Sequence, residues 1–188
     1  MQLATIRDNA KYFILFSVLT GILLLDQWTK HLIVQSFHLG ESVPVVSEYF
    51  NLTYVRNTGA AFGLFAHSDP SFRVPFFIMI PLLALIVIGV IFRKIPNEDR
   101  KLSIALSMVI GGAVGNLIDR LHFGYVVDFL DFHWKQQYHF PAFNVADSAI
   151  CVGVALLTLD LVIHTPPEIP KDLTSDRKDN PPNVTHPV

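Results

Sequence analysis

The sequence is short of charged residues, of cysteine and of net positive charge. Asp, Glu, Lys and Arg make up 16% of the 188 residues, whereas a soluble domain carries about a quarter. The hydrophobic fraction of 51% excludes a disordered chain. The net charge of −2 excludes a nucleic-acid-binding protein that neutralises phosphates. The single cysteine, Cys151, excludes an intramolecular disulfide and is typical of a small buried residue.

The apolar residues are concentrated in four long runs. A helix needs about 20 mostly apolar residues to cross a membrane. The runs cover 12–25 (extending to 34 if two charges are tolerated), 74–92, 102–118 and 142–164. They predict an all-α membrane protein with four transmembrane helices and a small extracytoplasmic segment that contains β-strands.

The first run also permits a cleaved signal peptide, because Arg7 and Lys11 precede it. However, no small-x-small cleavage site follows the run, which leads directly into the polar stretch 26–30. These two features favour a retained helix.

Basic residues divide unevenly between the two sides of a four-span topology. Most of the 14 Lys and Arg residues lie in the N-terminal segment, the 93–101 loop and the tail. Because cytoplasmic loops carry an excess of positive charge, both termini are predicted to be cytoplasmic.

The remaining segments complete the predicted domain organisation. Segment 35–72 is expected to face outward and to be β-rich, because residues 42–65 are rich in Val, Tyr, Phe and Thr. Segment 122–141 is expected to be an outward-facing loop. Residues 1–164 then form one membrane domain. The Pro- and Asp-rich segment 165–188 is predicted to be a disordered cytoplasmic tail.

Two charges interrupt the first run. A charged residue at membrane depth costs about 2.5–3.5 kcal/mol on insertion scales, so it is retained where it is paired or functional. Asp26 and Lys30 are four residues apart and share one helix face. The spacing fits a local ion pair that neutralises both groups, and it equally fits a role in positioning a substrate.

The third run combines a glycine face with polar residues. Gly111 and Gly115 are four apart, which lets another helix come close. Gly112, Asn116 and Arg120 stack at the same spacing, so we expect a groove without side-chain bulk that leads to an amide and a guanidinium. Helix packing explains the glycines but not the three polar residues in one turn, which are Asn116, Asp119 and Arg120.

Two further acids flank the connection between the third and fourth runs. Asp128 is an isolated acid in apolar surroundings, and Asp147 follows Asn144 by three residues near the start of the fourth run. Asp147 fits a helix N-terminal cap. It also fits a pair with Asp128, in which two close carboxylates share one proton. That pair is the aspartic-protease arrangement: one carboxylate takes a proton from water and the other donates to the carbonyl oxygen.

Other catalytic chemistries lack their residues. The eight His residues form no His-Glu-x-x-His motif and no cluster with zinc spacing. There is no Gly-x-Ser-x-Gly motif and no phosphate-binding loop. A Ser/Lys dyad that uses Lys30 is conceivable, although no Ser lies at an obvious partner spacing.

Five polar motifs together carry a family resemblance, which covers about residues 12–163. The chain closely resembles the bacterial lipoprotein signal peptidases, also called signal peptidase II. The motifs, in order, are Asp26-Gln27-Trp28-Thr29-Lys30, Arg56-Asn57-Thr58-Gly59-Ala60-Ala61-Phe62-Gly63, Gly111-Gly112-Ala113-Val114-Gly115-Asn116-Leu117-Ile118-Asp119-Arg120, Val126-Val127-Asp128-Phe129 and Phe143-Asn144-Val145-Ala146-Asp147-Ser148.

The resemblance implies an intramembrane aspartyl endopeptidase of the bacterial inner membrane that needs no metal or cofactor. Its substrate would be a prolipoprotein, cut just before a diacylglyceryl-modified cysteine, with membrane lipid as a further partner and globomycin-type cyclic peptides as inhibitors. A monomer is expected. The catalytic aspartates map onto Asp128 and Asp147. The implied substrate-binding residues are Asn57, Asn116, Arg120, Asn144, Asp26 and Lys30. Asp119 is expected to be structural rather than catalytic.

Two other functions compete with this interpretation. Acids within membrane helices also mark proton relays, so a small proton-coupled transporter or channel is the alternative. It is weakened by the lack of an internal repeat and by the polar groups' placement near one surface. A non-catalytic assembly factor would leave the paired acids unexplained.

Overall fold

The computed structural model describes residues 10–59, 68–135 and 137–164. The predicted tail, 165–188, therefore lies outside the described residues, as do residues 60–65 of the predicted sheet. In chain order the elements are helix α1 (Ala10–Ser36), strands β1 (Ser42–Val46) and β2 (Phe50–Asn57), helices α2 (Pro70–Lys94) and α3 (Arg100–Phe123), strands β3 (Val126–Trp134) and β4 (Tyr138–His139), and helix α4 (Val145–His164).

All 4 described helices are long and apolar enough to cross a membrane. Helices α1, α2 and α4 expose large apolar side chains such as Phe16, Ile86 and Leu161. Such exposure suits helices whose surrounding solvent is lipid. Together with the small sheet described below, these helices confirm the predicted fold class.

Two helices, α2 and α3, begin before their predicted apolar runs, and each has a polar capping residue at its N-terminus. The Asp69 carboxylate accepts a hydrogen bond from the Ser71 N–H at 2.8 Å, at the start of α2. The Asp99 carboxylate accepts from the Leu102 N–H at 3.0 Å, at the start of α3. Side-chain acceptors of this kind satisfy backbone donors that have no partner within the helix.

Helix α3 is the central helix and packs against α1, α2 and α4. A Cβ atom at Gly112 would collide with the backbone oxygen of Ala146 and the side chain of Ile150, both on α4. A Cβ at Gly115 would lie 2.7 Å from the Asp26 carboxylate of α1. The start of α4 therefore fills the groove beside Gly112.

The strands form one antiparallel sheet in the order β1-β2-β3-β4. It lies at the end of the bundle where α1 and α3 finish and α4 begins, here called the sheet end. A small core joins the sheet to α1; it consists of Ile33, Tyr54, Val127 and Phe129.

The prediction of a loop over 122–141 is wrong, because β3 and β4 occupy most of that segment. Strand β3 pairs with β2, with Phe50 opposite Phe132 and Leu52 opposite Leu130. A bulge follows Leu52, after which Val55 lies opposite Asp128. The pairing places Asp128 on a rigid strand rather than on a loop.

Candidate active site

Asp128 lies buried on β3, close to the sheet end of the helices. It is 2% exposed. One carboxylate oxygen accepts from the Asn144 side-chain amide at 2.7 Å. The other accepts from the Asn57 amide at 2.9 Å, where Asn57 is the last residue of β2. Two neutral amides therefore hold the Asp128 carboxyl group in place.

Asp147 lies in the first turn of α4 and is half-buried. Its N–H donates to the Asn144 side-chain oxygen at 2.9 Å, and its carboxylate accepts from the Asn144 N–H at 3.2 Å. This reciprocal pair is a capping box, which satisfies two backbone donors at the start of a helix. The capping role considered for Asp147 is therefore present. The other carboxylate oxygen is left for a contact on α3.

The amides of Asn116 and Asn144 connect the two aspartates. Asn116, on α3, donates to the free carboxylate oxygen of Asp147 at 2.7 Å. Asn144 donates to the Asn116 side-chain oxygen at 3.2 Å as well as to Asp128. Asp128 and Asp147 are thus linked through two amides, with no cation hydrogen-bonded to either carboxylate among the described residues.

Behind this pair lies a buried cluster centred on Lys30. The ammonium group contacts Asp26 at 2.8 Å, Asp119 at 3.0 Å and the Asn116 side-chain oxygen at 3.0 Å. An ammonium has three N–H donors, so each of them has one acceptor. Gln27 donates to Asp26 at 3.1 Å and to Asp119 at 3.0 Å.

The Lys30 cluster holds the backbone beside each aspartate of the pair. Asp26 accepts from the Ala146 N–H at 2.9 Å, immediately before Asp147. Asp119 accepts from the Val127 N–H at 3.1 Å, immediately before Asp128. One ion cluster therefore fixes the strand and the helix that carry the two aspartates.

Arg120 completes the polar surroundings. Its guanidinium donates to the backbone oxygens of Asn116 and Gly59, both at 3.4 Å, and lies over the Phe77 ring. Unlike Lys30, Arg120 is only half-buried. Part of the Arg120 side chain therefore remains accessible.

Asp128 has an unusual acidity for a carboxyl group. Burial, together with the negative charge of Asp147, raises its pKa from 3.8 to about 7. The hydrogen bonds from Asn57 and Asn144 act in the opposite direction. Desolvation therefore dominates, and near neutral pH the Asp128 carboxyl group is poised between its protonated and ionised forms.

The structure brings together all eight predicted site residues, but in two layers. Asn57, Asn116, Arg120 and Asn144 surround Asp128 and Asp147. Asp26 and Lys30 lie beneath, 0% and 3% exposed, with internal partners. Sequence reasoning did not single out Gln27; the available signal was a polar residue next to Asp26 in an apolar run. Among the described residues, no His, Cys, Asp and Glu group is placed to hold a metal ion.

Comparison with known families gives a direct match. The family model of signal peptidase (SPase) II matches residues 18–163. The lipoprotein signal peptidase of Geobacter sulfurreducens is 52% identical over 151 residues, covering 80% of this chain and 92% of that protein. The lipoprotein signal peptidase of Brevibacillus brevis is 47% identical over 154 residues, covering 81% and 95%.

Solved structures agree with the sequence comparison. Two structures of bacterial membrane enzymes superpose with a TM-score of 0.71 each, at 31% and 32% identity. They cover 90% and 80% of this chain, and 94% of each solved chain. The chain belongs to the signal peptidase II family, the proteases known as lipoprotein signal peptidases.

Proposed function

We propose that the protein is an aspartyl endopeptidase that removes the signal peptide from prolipoproteins within the membrane, cutting just before a diacylglyceryl-modified cysteine. The observation that carries the proposal is the amide-linked pair of Asp128 and Asp147. Family membership supports a prolipoprotein as substrate and membrane lipid as its surroundings. The catalytic type rests on the geometry of the pair.

The first step adds water to the scissile peptide bond. Asp128 is the more deeply buried of the two, and its pKa is raised to about 7, so we assign it the shared proton. Half-buried Asp147 is ionised and takes a proton from water as the oxygen attacks the carbonyl carbon. Asp128 donates its proton to the carbonyl oxygen in the same step, which gives a neutral tetrahedral diol.

The second step breaks the carbon–nitrogen bond. Asp147 gives its proton to the leaving nitrogen, and Asp128 recovers a proton from a diol hydroxyl as the carbonyl re-forms. The products are a carboxylic acid and an amine, and the pair again holds one proton. The buried, amide-lined setting keeps that proton on the pair, because ionising both carboxyl groups is costly there.

Four polar residues are assigned to substrate binding. An extended peptide at membrane depth needs partners for its backbone groups. Asn57, Asn116 and Asn144 offer amides beside the pair, and Arg120 offers guanidinium N–H groups to a peptide or lipid carbonyl. We revise the role of Asp26 and Lys30, which are buried and internally paired. They position the site instead of contacting substrate.

The membrane placement completes the proposal. The sheet end faces outward from the bacterial inner membrane, and both termini are cytoplasmic, following the distribution of Lys and Arg. The acyl chains of the modified cysteine remain partly in lipid, which lowers their desolvation cost. Residues 1–164 form the peptidase domain, with 165–188 as a tail. The enzyme acts as a monomer, and globomycin-type cyclic peptides occupy the same cleft.

The test is cleavage of a diacylglyceryl-modified prolipoprotein by the purified full chain in detergent micelles. Asp128→Asn and Asp147→Asn are each expected to abolish cleavage, and a metal chelator is expected to leave it unchanged. The matched control is Asp131→Asn on the same strand, because that carboxylate points to the other face toward His139 and Asn51. It should retain cleavage.

Two results would overturn the proposal. Near-normal cleavage by either Asp128→Asn or Asp147→Asn would exclude this pair as the catalytic groups. Proton or solute transport in liposomes, with no cleavage of the prolipoprotein, would replace the protease by a transporter.

A further inference from the structure

A cavity lies at the sheet end, on the side of the bundle formed by α1, α3 and β3. Its volume is about 420 Å³, within the range of small-molecule sites. The cavity is lined by Trp28, His31 and Val34 of α1, by Phe123 at the end of α3 and Val127 of β3, and by Gln27, Lys30 and Asp119 of the Lys30 cluster. Trp28 is 59% exposed and Phe123 46%. The cavity therefore has exposed aromatic side chains on its rim, from the lipid-facing helix α1 and from the last residue of α3.

Arg56 lies next to this cavity. It is directly opposite Val127 in the pairing of β2 with β3. Its Nε donates to the Tyr54 hydroxyl at 3.0 Å, and its guanidinium lies 4.8 Å from the centre of the Tyr125 ring. The Tyr125 ring in turn stacks on Phe123. Arg56 is exposed, so this guanidinium is held in place while its other N–H groups face outward.

These features together suit one kind of ligand. Trp and Tyr side chains mark the level of the lipid headgroups, and the fixed guanidinium of Arg56 supplies a positive charge beside the cavity. Guanidinium matches the geometry of phosphate. We propose that an anionic glycerophospholipid binds this cavity, with its phosphate against Arg56 and an acyl chain along Val34, Phe123 and Trp28.

The position of the cavity gives the bound lipid a structural consequence. Val127 lines the cavity and donates its N–H to Asp119 at 3.1 Å. Val127 is also the residue immediately before Asp128. A lipid in the cavity therefore packs against the strand segment that carries the site, from the side opposite to Asp128.

The chain has two Trp residues, which provides a direct reporter. In a Trp134→Phe background, Trp28 is the single tryptophan, and it lines the cavity. The full chain is reconstituted in vesicles of phosphatidylcholine with brominated chains, which quench Trp28. Unbrominated phosphatidylglycerol and unbrominated phosphatidylcholine are then added in two separate titrations, and the relief of quenching is compared. We expect phosphatidylglycerol to relieve quenching about tenfold more effectively, the effect of one charge-assisted hydrogen bond.

Two variants that each remove one positive charge distinguish a specific lipid site from general electrostatic attraction of anionic lipid to the protein. Arg56→Gln should abolish the preference for phosphatidylglycerol. Lys101→Gln removes one positive charge beside an apolar groove at the other end of α3, and it should leave the preference at Trp28 unchanged. Soluble glycerophosphate should relieve no quenching, because it lacks the acyl chain.

Three results would overturn the proposal. The first is equal relief of quenching by the two lipids in the parent protein. The second is a preference that survives in Arg56→Gln or falls equally in Lys101→Gln. The third is relief by soluble glycerophosphate, which would make the site one for a free anion. Circular dichroism of each variant confirms that the helices remain folded.

Discussion

Two pairs of aspartates lie close together in this molecule, in opposite surroundings. Asp26 and Asp119 share the Lys30 ammonium and the Gln27 amide. Asp128 and Asp147 are hydrogen-bonded to neutral amides and to the start of α4. Residue type alone does not separate the pairs. Their partners do: an ammonium group binds both carboxylates of the first pair, whereas neutral amides bind those of the second pair.

The comparison also shows how the two pairs depend on each other. Each aspartate of the Lys30 cluster accepts a backbone N–H from the residue just before an aspartate of the other pair. The ion cluster therefore acts as a support for β3 and α4. Substituting Asp128 or Asp147 should change the rate of cleavage, and disrupting the Lys30 cluster should change the stability of the fold.

The largest expected effect is the loss of cleavage in Asp128→Asn and Asp147→Asn. Removing a general acid or base costs about 10²–10⁴-fold in rate. At about pH 6 the thermal midpoint should change little for Asp128→Asn, because an amide replaces a carboxyl group that is mostly neutral below its pKa of about 7. The measurement is the rate of prolipoprotein cleavage together with thermal unfolding in detergent. A drop in thermal midpoint that accounts for the lost activity would show that Asp128 and Asp147, like the Lys30 cluster, act on stability.

The next effect is a loss of stability in Lys30→Met. Without the ammonium, Asp26 and Asp119 are two buried carboxylates without a cation, and breaking a buried ion pair costs about 3–5 kcal/mol. Denaturant or thermal unfolding in detergent measures the change. Gln35→Met, an exposed polar-to-apolar change on the same helix, is the matched control and should be near neutral. Unchanged stability in Lys30→Met would contradict the supporting role of the cluster.

Gly112→Ala tests whether the start of α4 must stay in place. The added Cβ would meet the backbone oxygen of Ala146, next to Asp147. A displacement of about 1 Å at a reacting group costs about 100-fold in rate, so we expect a loss of that size. Gly89→Ala in α2, where nothing lies within 4 Å, should keep full activity. Equal activity of both variants would show that Asp147 tolerates the shift.

The smallest effect is the pH dependence of the parent enzyme. In the proposed mechanism the active pair holds one proton, and the pKa of Asp128 is raised to about 7. As pH rises through that value the pair loses its proton, so kcat/KM should fall about tenfold per pH unit at higher pH. The apparent pKa belongs to the pair. A kcat/KM that stays level well into the alkaline range would contradict a shared proton.

Much of the fold follows from local sequence. The length of the apolar runs predicts the four helices, because a span of lipid needs a fixed number of residues. The runs miss the polar caps at Asp69 and Asp99, so the helices α2 and α3 begin earlier than predicted. Strand β3 was predicted as a loop because its partner, β2, lies far earlier in the chain and pairs through a bulge.

The site, too, has features that the sequence predicts and features that it does not. The acids, the amides and the spacing of Asn144 and Asp147 are visible in the sequence, and the reciprocal cap they form is local. The contacts of Asp26 with the Ala146 N–H and of Asp119 with the Val127 N–H are not. Their donors are backbone groups, which every residue except proline carries, so no side chain marks them.

Infrared spectroscopy with ¹³C-labelled aspartate tests the shared proton most directly. At about pH 6, the parent enzyme should show the carbonyl stretch of a protonated carboxyl group, since the raised pKa of Asp128 keeps it largely neutral there. The band should vanish in Asp128→Asn, persist in Asp131→Asn and fade in the parent as pH rises past about 7. A band that is absent from the parent, or unaffected by Asp128→Asn, would contradict the account.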